Sequence, residues 1–449
     1  MDFNIILQIV LAIIASIVIY TIIGFIPGTD ETSVLAPITL VLALSGAHPA
    51  AVLGFFIAAI ITLSLTNAIP TALVGLPGGV MSSPMMEHSL YLKDKGLSAV
   101  VIKKMAVGSL IGIVVALPTT LIIAKLIAPY GEMLKQYSSI LFVFGAIFLS
   151  LLSKAKILSL VSIIPLSILF MGLRHLYWGM GIVPQEKKVS ISFFLGITIG
   201  PLIISLLGLL NKDEKAKMIT DKFKNISIPK MEDESLNPLK IVTKEQIKKS
   251  AIASFISTFL FVLSPVGLTI LFGESFGKGA KDKTEKAYTT ITVMSSVIQA
   301  TYISGILIPL IALGIPLSPA SIGPGIALFE ADPVFTNSHN IHHILSFGEI
   351  LVPVIMAAAI AGVLSYILTN KFASVITRFV LEKIPHEAIL ALFIAFIVLL
   401  SYIDAGIVNV FGVILIGIVS GYLNKQGVNY GVQFMSLYAA PWIISQLVG

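Results

Sequence analysis

Long apolar stretches separated by short polar ones run along almost the whole chain. A transmembrane helix needs about 20 consecutive apolar residues, and many of the apolar runs reach that length. We therefore expect an all-α polytopic membrane protein with roughly ten to twelve membrane segments. The pattern predicts spans near residues 4–26, 105–128, 139–153, 157–173, 190–210, 350–369, 387–403, 407–423 and 430–447. Three further apolar regions, near 50–79, 250–272 and 287–316, are interrupted by proline.

One long polar segment divides these runs into two sets. Residues 211–249 contain ten Lys and seven Asp or Glu. We expect them to form a hydrophilic basic linker, on the cytoplasmic side by the positive-inside tendency. Residues 1–210 and 250–449 are then predicted to be two membrane repeats of five to six segments each.

A Pro/Gly motif that occurs once in each half indicates duplication. Residues 69–77 read IPTALVGLP and residues 308–316 read IPLIALGIP. Another Pro-broken apolar run precedes each motif. Pro27 and Pro77 are 50 positions apart in the first half, and Pro265 and Pro316 are 51 positions apart in the second. Interrupted apolar segments at matching places are the best sequence indication of a transporter's binding site. The predicted structural breaks are Pro27, Pro70, Pro77, Pro265, Pro309 and Pro316.

The breaks have two possible roles. They could place helix N-termini and freed backbone groups at a midplane cavity, where N–H groups bind anions and carbonyl groups suit Na⁺. They could also merely kink packed helices. The matched spacing favours the first role. The broken run at 250–272 lies between two basic loops, which predicts a re-entrant hairpin, with a simple crossing as the alternative.

Composition agrees with the membrane class. The chain has 449 residues, of which 56% are hydrophobic and 12% charged, and its mean hydropathy is +0.99. Soluble domains carry about 25% charged residues. The net charge of +6 is spread over loops, so it indicates membrane orientation and not nucleic-acid binding. We predict a multi-pass protein of the cell membrane (inner or plasma membrane).

Polar residues and glycines near the breaks are candidates for substrate contact. In a membrane interior a hydroxyl or amide either binds a ligand or bonds to a neighbouring helix. Any one of them could serve only the second purpose, but as a set near two breaks they suggest a ligand site. The predicted substrate-binding residues are Gly28, Thr29, Thr32, Ser33, Asn67, Gly78, Gly79, Ser264, Ser295, Ser296, Gln299 and Ser318.

Two adjacent acids come shortly after Pro27 and Gly28, at the end of the first apolar run. Intramembrane carboxylates are costly and indicate function by default, so Asp30 and Glu31 are predicted cation-coupling residues. The alternative is that this polar cluster lies at the interface and caps the next helix. Carboxylates facing the cavity would suit a coupling cation or the amine of a zwitterionic substrate.

Other chemistry is not indicated. The chain has no cysteine, which excludes thiolate metal sites, disulfides and cysteine nucleophiles. His339, His342 and His343 lie close in sequence, but without further ligands they do not predict a metal site. No phosphate-binding loop of an ATPase is present. We predict no cofactor, with Na⁺ or H⁺ as the coupling ion.

Several motifs are similar to those of a known family. In the first half they are GFIPG at 24–28, LAPIT at 35–39 and the stretch 67–78, and in the second half 305–316 and 323–329. Together they resemble the TctA family, the large membrane subunit of tripartite tricarboxylate transporters, over nearly the whole chain. The resemblance implies cation-driven uptake of carboxylates, assisted by a small membrane subunit and an extracytoplasmic binding protein.

The chain also departs from the family pattern. The first Pro-Gly is followed by Thr29, Asp30 and Glu31, and Pro316 is followed by Leu317 and not by Gly. We therefore expect a divergent member.

The favoured function is a secondary active transporter of small organic carboxylates, with alternating access at a midplane site between the two broken-helix repeats. The alternatives are a transporter of amino-acid-like zwitterions, a channel, or a membrane-embedded enzyme. The last lacks the His-Glu-x-x-His and Gly-x-Gly-Asp motifs, so we predict that the chain is not an enzyme. We also expect a homo-oligomer, in the form of a dimer.

Overall fold

The computed structural model describes residues 2–26, 31–73, 78–185, 189–208, 236–280, 282–336, 338–383 and 386–448. Within these ranges the regular secondary structure is helical, and the only β-type pairings are isolated bridges between residues 331 and 335 and between 336 and 339. The predicted all-α membrane fold is confirmed.

The described α-helices vary in length from 4 to 40 residues. In chain order they are α1 (Phe3–Gly24), α2 (Glu31–Leu44), α3 (Pro49–Thr66), α4 (Ala68–Leu73), α5 (Met86–Asp94), α6 (Ser98–Ile127), α7 (Gly131–Gln136), α8 (Ser138–Leu152), α9 (Lys156–Gly179), α10 (Ser190–Gly208), α11 (Pro238–Ile241), α12 (Lys244–Phe259), α13 (Pro265–Gly277), α14 (Lys283–Ile308), α15 (Pro319–Ile322), α16 (Ile341–Ile344), α17 (Phe347–Lys383), α18 (His386–Lys425) and α19 (Tyr430–Val448).

Seven helical stretches in the described part of the chain are long and apolar enough to cross a membrane. Three more apolar helical stretches have 10–17 residues, namely Glu31–Leu44, Ser138–Leu152 and the part of α10 from Ser190 to Ile204. The predicted spans 387–403 and 407–423 both lie in α18, which is interrupted by non-helical backbone at Ala405 and Gly406.

The chain forms two compact units, and each takes residues from both halves of the sequence. Unit 1 contains the described parts of 1–132 and 227–385, and unit 2 those of 133–226 and 386–449. The proposed repeat boundaries stay a prediction. Residue 250, the predicted start of the second repeat, lies inside α12. That helix begins at Lys244, where Thr243 and Gln246 form a capping box.

Unit 1 is built around two buried helices. The stretch Pro49–Leu73 is almost wholly buried, and Lys283–Leu313 is buried throughout its apolar core. Helix α1 packs along α3, and both α12 and α13 pack along α14. Helix α2 also contacts α3, so each buried helix has two helices packed beside it.

Helix α1, which precedes Pro27, runs parallel to α3, and helix α12, which precedes Pro265, runs parallel to α14. In the first half Ser16 Oγ donates to the Phe55 carbonyl (2.8 Å) and Thr66 Oγ1 to the Tyr20 carbonyl (3.4 Å). In the second half Ser296 Oγ donates to the Ser250 carbonyl (3.3 Å). Further along, the Phe261 carbonyl lies beside Gly305. The same local arrangement thus occurs in both halves.

The two helices beside α14 form an antiparallel hairpin. Gly273 of α13 packs on Met294 and Gly277 on Thr290, so α13 runs back along α14. The tip, at residues 260–264, lies near Gly305. The C-terminal end of α13 lies beside the second turn of α14, where Gly277 meets Thr290.

Unit 2 is held together by close helix contacts. Gly200 of α10 meets Gly421 of α18, and a Cβ at Gly200 would lie 2.6 Å from the Gly421 nitrogen. Small residues allow membrane helices to approach this closely. At the interruption of α18, Asn409 Nδ2 donates to the Ser401 carbonyl (2.8 Å). Helix α19 packs against α8 and α9.

Candidate functional site

The first break folds the chain back onto the end of α3. Helix α3 ends at Thr66, Asn67 follows, and the short helix α4 contains Pro70. The backbone of Gly78 lies directly on the Asn67 carbonyl, and a Cβ at Gly78 would overlap that oxygen. Only glycine permits so close a backbone approach.

A buried carboxylate occupies this break. Glu31, the first residue of α2, is 4% exposed. Its Oε1 accepts hydrogen bonds from Asn67 Nδ2 (3.1 Å) and Met81 N (3.3 Å), and its Oε2 accepts one from Val80 N (3.2 Å). Three N–H donors therefore surround one carboxylate, which is the kind of charge-assisted contact that proteins use to hold anions.

Local hydrogen bonds hold the donor loop in place. Gly79 N donates to Ser82 Oγ (2.9 Å), and Ser82 Oγ donates to the Gly79 carbonyl (2.9 Å). Gly78 N donates to Thr71 Oγ1 of α4 (3.3 Å). We define the set of donors Asn67 Nδ2, Val80 N and Met81 N as the N–H cradle.

The second break ends α14 in a π-helical turn. The turn covers Pro309–Leu313 and closes at Gly314, whose φ of 65° is in the left-handed region. A segment far along the chain supports it, because Asn340 Nδ2 donates to the Gly314 carbonyl (2.8 Å) and His342 Nδ1 lies 3.1 Å from the Ile311 carbonyl. The segment around residues 340–342 thus packs on the break.

After this break the chain also returns to the buried helix. Ser318 is the N-cap of α15, with its Oγ accepting from Ser321 N (3.1 Å). The same hydroxyl donates to the Gly305 carbonyl of α14. The contact of Ser318 with Gly305 corresponds to that of Gly78 with Asn67 in the first half.

One predicted residue on α14 has an amide with no visible role in the fold. Gln299 is fully buried, and neither its oxygen nor its nitrogen has a hydrogen-bond partner among the described residues. The Oδ1 of Asn67 is likewise buried without a partner there. A buried unpaired polar group costs about 1–3 kcal/mol, so both amides are candidates for contact with a ligand.

Other predicted residues make contacts that serve the fold. Ser295 Oγ donates to the Ile291 carbonyl (2.9 Å) and Ser296 Oγ to the Val293 carbonyl (2.8 Å). Ser264 caps α13, accepting from Gly267 N (3.3 Å). These bonds leave a ligand role for the three hydroxyls untested.

The remaining predicted residues divide into two groups. Thr32 and Ser33 lie in the first turn of α2, Pro265 begins α13, Pro309 begins the π-helical turn, and Pro316 lies buried between that turn and α15. Pro27, Gly28, Thr29, Asp30 and Pro77 lie outside the described residues.

The sequence indicated several members of the site but not its backbone donors. Glu31, Asn67, Gly78 and Gly79 were predicted from the breaks, and the structure brings them together. Val80 and Met81 act through main-chain N–H groups, which carry no side-chain signal. The support from Asn340 and His342 depends on a contact about 30 residues away in sequence.

Comparison with known proteins decides the family. The sequence model of the tripartite tricarboxylate transporter TctA family matches residues 10–433 of this chain. The chain belongs to the TctA family. No curated protein and no solved structure matches it.

TctA membership and the seven long apolar helices make this protein a multi-pass membrane component of a tricarboxylate transporter. The TctA family is not an enzyme family, and it works within tripartite transporters together with two partner subunits. The two breaks lie within the matched range.

Proposed function

We propose that this TctA protein is a secondary active transporter of small organic carboxylates, driven by Na⁺ or H⁺ across the cell membrane. The observation that carries the proposal is the pair of matching breaks in unit 1. Each one interrupts a buried helix, returns the chain to that helix, and lies near polar groups that a ligand could use.

The first break supplies what a carboxylate substrate needs. Its N–H groups come from Asn67 and from the backbone just before the helical turns at 83–94. Such donors favour negative charge. In the other half of unit 1, the buried amide of Gln299 on α14 has both a donor and an acceptor without a partner among the described residues.

Coupling to a cation rests on the acids beside the first break. Glu31 carries negative charge into the apolar unit, and neutralising such a charge with Na⁺ or H⁺ would link the cation to substrate movement. Asp30, which precedes Glu31 in the sequence, stays a predicted partner in this role. Alternating access, assistance by a small membrane subunit and a binding protein, and assembly into a dimer belong to the same proposal.

Uptake into proteoliposomes tests the proposal. Purified protein would be reconstituted and given labelled succinate, citrate, glutamate or alanine, each with an inward Na⁺ gradient, an inward H⁺ gradient or neither. We expect saturable accumulation of a carboxylate that stops when the gradient is collapsed. Linear uptake without accumulation would indicate a channel, and uptake of alanine alone would replace carboxylates with zwitterions.

A further inference from the structure

The N–H cradle is shaped for one carboxylate group. Its three donors address both oxygens of the Glu31 side chain, at 3.1 and 3.3 Å to Oε1 and at 3.2 Å to Oε2. Two of the donors are consecutive backbone N–H groups, which is the geometry of an anion-binding nest. A carboxylate from a ligand would satisfy the same donors in the same way.

The cradle has no spare room beyond that group. A Cβ at Gly79 would overlap Glu31 Oε1 and lie 2.8 Å from Asn67 Nδ2. The glycine therefore leaves just the volume that the carboxylate fills. In a helix-capping role Glu31 would need only the N–H groups of its own helix, yet the three cradle donors belong to residues 36 to 50 positions away.

A second observation points to a ligand at this place. Asn67 is 2% exposed, and while its Nδ2 serves Glu31, its Oδ1 has no partner among the described residues. Buried amide oxygens are normally hydrogen-bonded. The Glu31 carboxylate cannot satisfy this oxygen, because both are acceptors. A ligand that brings a hydroxyl or ammonium donor beside its carboxylate group would satisfy this oxygen, which the Glu31 side chain cannot do.

We infer that the N–H cradle is a carboxylate subsite of the transport site, and that Glu31 occupies it when substrate is absent. This inference rests on the proposed function where it calls the ligand a substrate. The binding of a carboxylate in the cradle does not depend on that function. Substrate would enter by displacing Glu31. The displaced side chain, deprived of three donors, would then be the charge that the coupling cation neutralises.

Emptying the cradle tests the inference without any transport assay. Thermal unfolding of the purified protein would be followed in acetate against chloride at equal ionic strength. Glu31→Ala vacates the cradle, so acetate should bind and raise its Tm saturably by about 1–3 °C. The wild type and the exposed control Glu87→Ala should not respond, because Glu31 fills the cradle in both.

Two further variants make the result specific. In Glu31→Ala combined with Gly79→Ala, the added methyl group takes up the vacated space, so the acetate response should disappear. Glu31→Gln keeps the side-chain volume and should show a weaker response than Glu31→Ala. It serves as the readout if Glu31→Ala does not yield folded protein.

The outcomes separate the inference from the proposed function. Equal acetate responses in wild type and both Glu31 variants, or none in any of them, would overturn the inference even if carboxylate uptake is observed. An acetate response confined to the Glu31 variants, with no uptake by the wild type, would support the cradle and contradict the transporter proposal. A Tm of the wild type that rises with Na⁺, lost in Glu31→Gln without an acetate response, would make Glu31 a cation ligand instead.

Discussion

At the scale of single residues, the site depends on how closely the backbone folds back on itself. Gly78 and Gly79 were recognised in the sequence because they follow a Pro-broken helix, and the structure gives the physical reason. One lies on the Asn67 carbonyl and the other on the Glu31 carboxylate. A sequence pattern can predict that glycine is needed at a break, but not which atom approaches it.

Gly78→Ala tests this close approach. The new methyl group would overlap the Asn67 carbonyl, so the loop must shift, and overpacking of this kind costs about 1–3 kcal/mol. We expect a clear loss of thermal stability in detergent. The control Gly348→Ala has no atom within 4 Å of the new Cβ and should change stability by about 0.5 kcal/mol or less. Equal Tm values for the two variants would contradict the described fold of the break.

A titratable cluster at the base of the hairpin gives a prediction about pH. Burial raises the pKa of the Glu274 carboxyl. The hydrogen bond from His88 Nε2 (2.6 Å), together with the charges of His88 and Lys286, outweighs burial and lowers the pKa below its usual range. The carboxylate therefore stabilises the fold at pH values above the usual carboxyl pKa, and this contribution is lost as the pH falls through the lowered pKa.

Glu274→Gln should thus lower the Tm at pH 7, by an amount that corresponds to about 1 kcal/mol or less, since the side chain is 39% exposed and solvent screens it. The difference from wild type should shrink as the pH falls below about 4. Glu87→Gln, with an exposed side chain on the same helix as His88, serves as control. A deficit in Glu274→Gln that stays constant from pH 7 to pH 3.5 would show that the carboxylate charge is not its cause.

At the scale of elements, the hairpin of α12 and α13 is the feature that the sequence left open. The two helices have 16 and 13 residues, which at about 1.5 Å per residue makes each shorter than the hydrocarbon core of about 30 Å. Their antiparallel packing along α14 favours the re-entrant prediction. Hydropathy alone could not decide, because a broken span and a hairpin have the same composition.

Disulfide trapping tests the packing of the hairpin. The chain has no cysteine, so an introduced pair reacts without competition. A Cβ at Gly273 would overlap Met294 Cγ, and Gly273→Cys with Met294→Cys should therefore form a disulfide on mild oxidation. Gly46→Cys with Met294→Cys gives a control pair that should stay reduced, because a Cβ at Gly46 would have no atom within 4 Å. Peptide mass spectrometry would detect the bond, and its absence from the first pair would contradict the packing.

Labelling from one side of the membrane tests re-entrance. Lys244→Cys lies at the start of α12 and Lys278→Cys just after α13, and both positions are exposed. If the hairpin enters and leaves on the same side, a membrane-impermeant maleimide added outside right-side-out vesicles should label either both cysteines or neither of them. Labelling of one position from outside and of the other only after lysis would indicate a crossing.

At the scale of the whole molecule, the sequence predicted class and family better than it predicted the assignment of helices to units. Hydropathy and the paired motifs indicated a polytopic TctA protein, and the fold class and family are confirmed. The grouping into two units, each drawing on both halves, could not be foreseen. It depends on which helix faces match, for example the glycines of α10 and α18, and these contacts join residues more than 200 positions apart.

The central claim is that the breaks of unit 1 form the transport site for a carboxylate. It is tested most directly by comparing initial uptake rates of two buried-asparagine variants in proteoliposomes. Asn67→Leu removes a cradle donor. Asn370→Leu alters an amide on α17 that is also buried with an unpaired Oδ1 among the described residues, and whose Nδ2 donates to the Tyr366 carbonyl, but that is not part of the N–H cradle. The account predicts that Asn67→Leu loses at least 10-fold in kcat/KM, on the order of 1.4 kcal/mol, while Asn370→Leu keeps a rate near that of the wild type. Equal rates for the two variants, with both proteins folded, would contradict it.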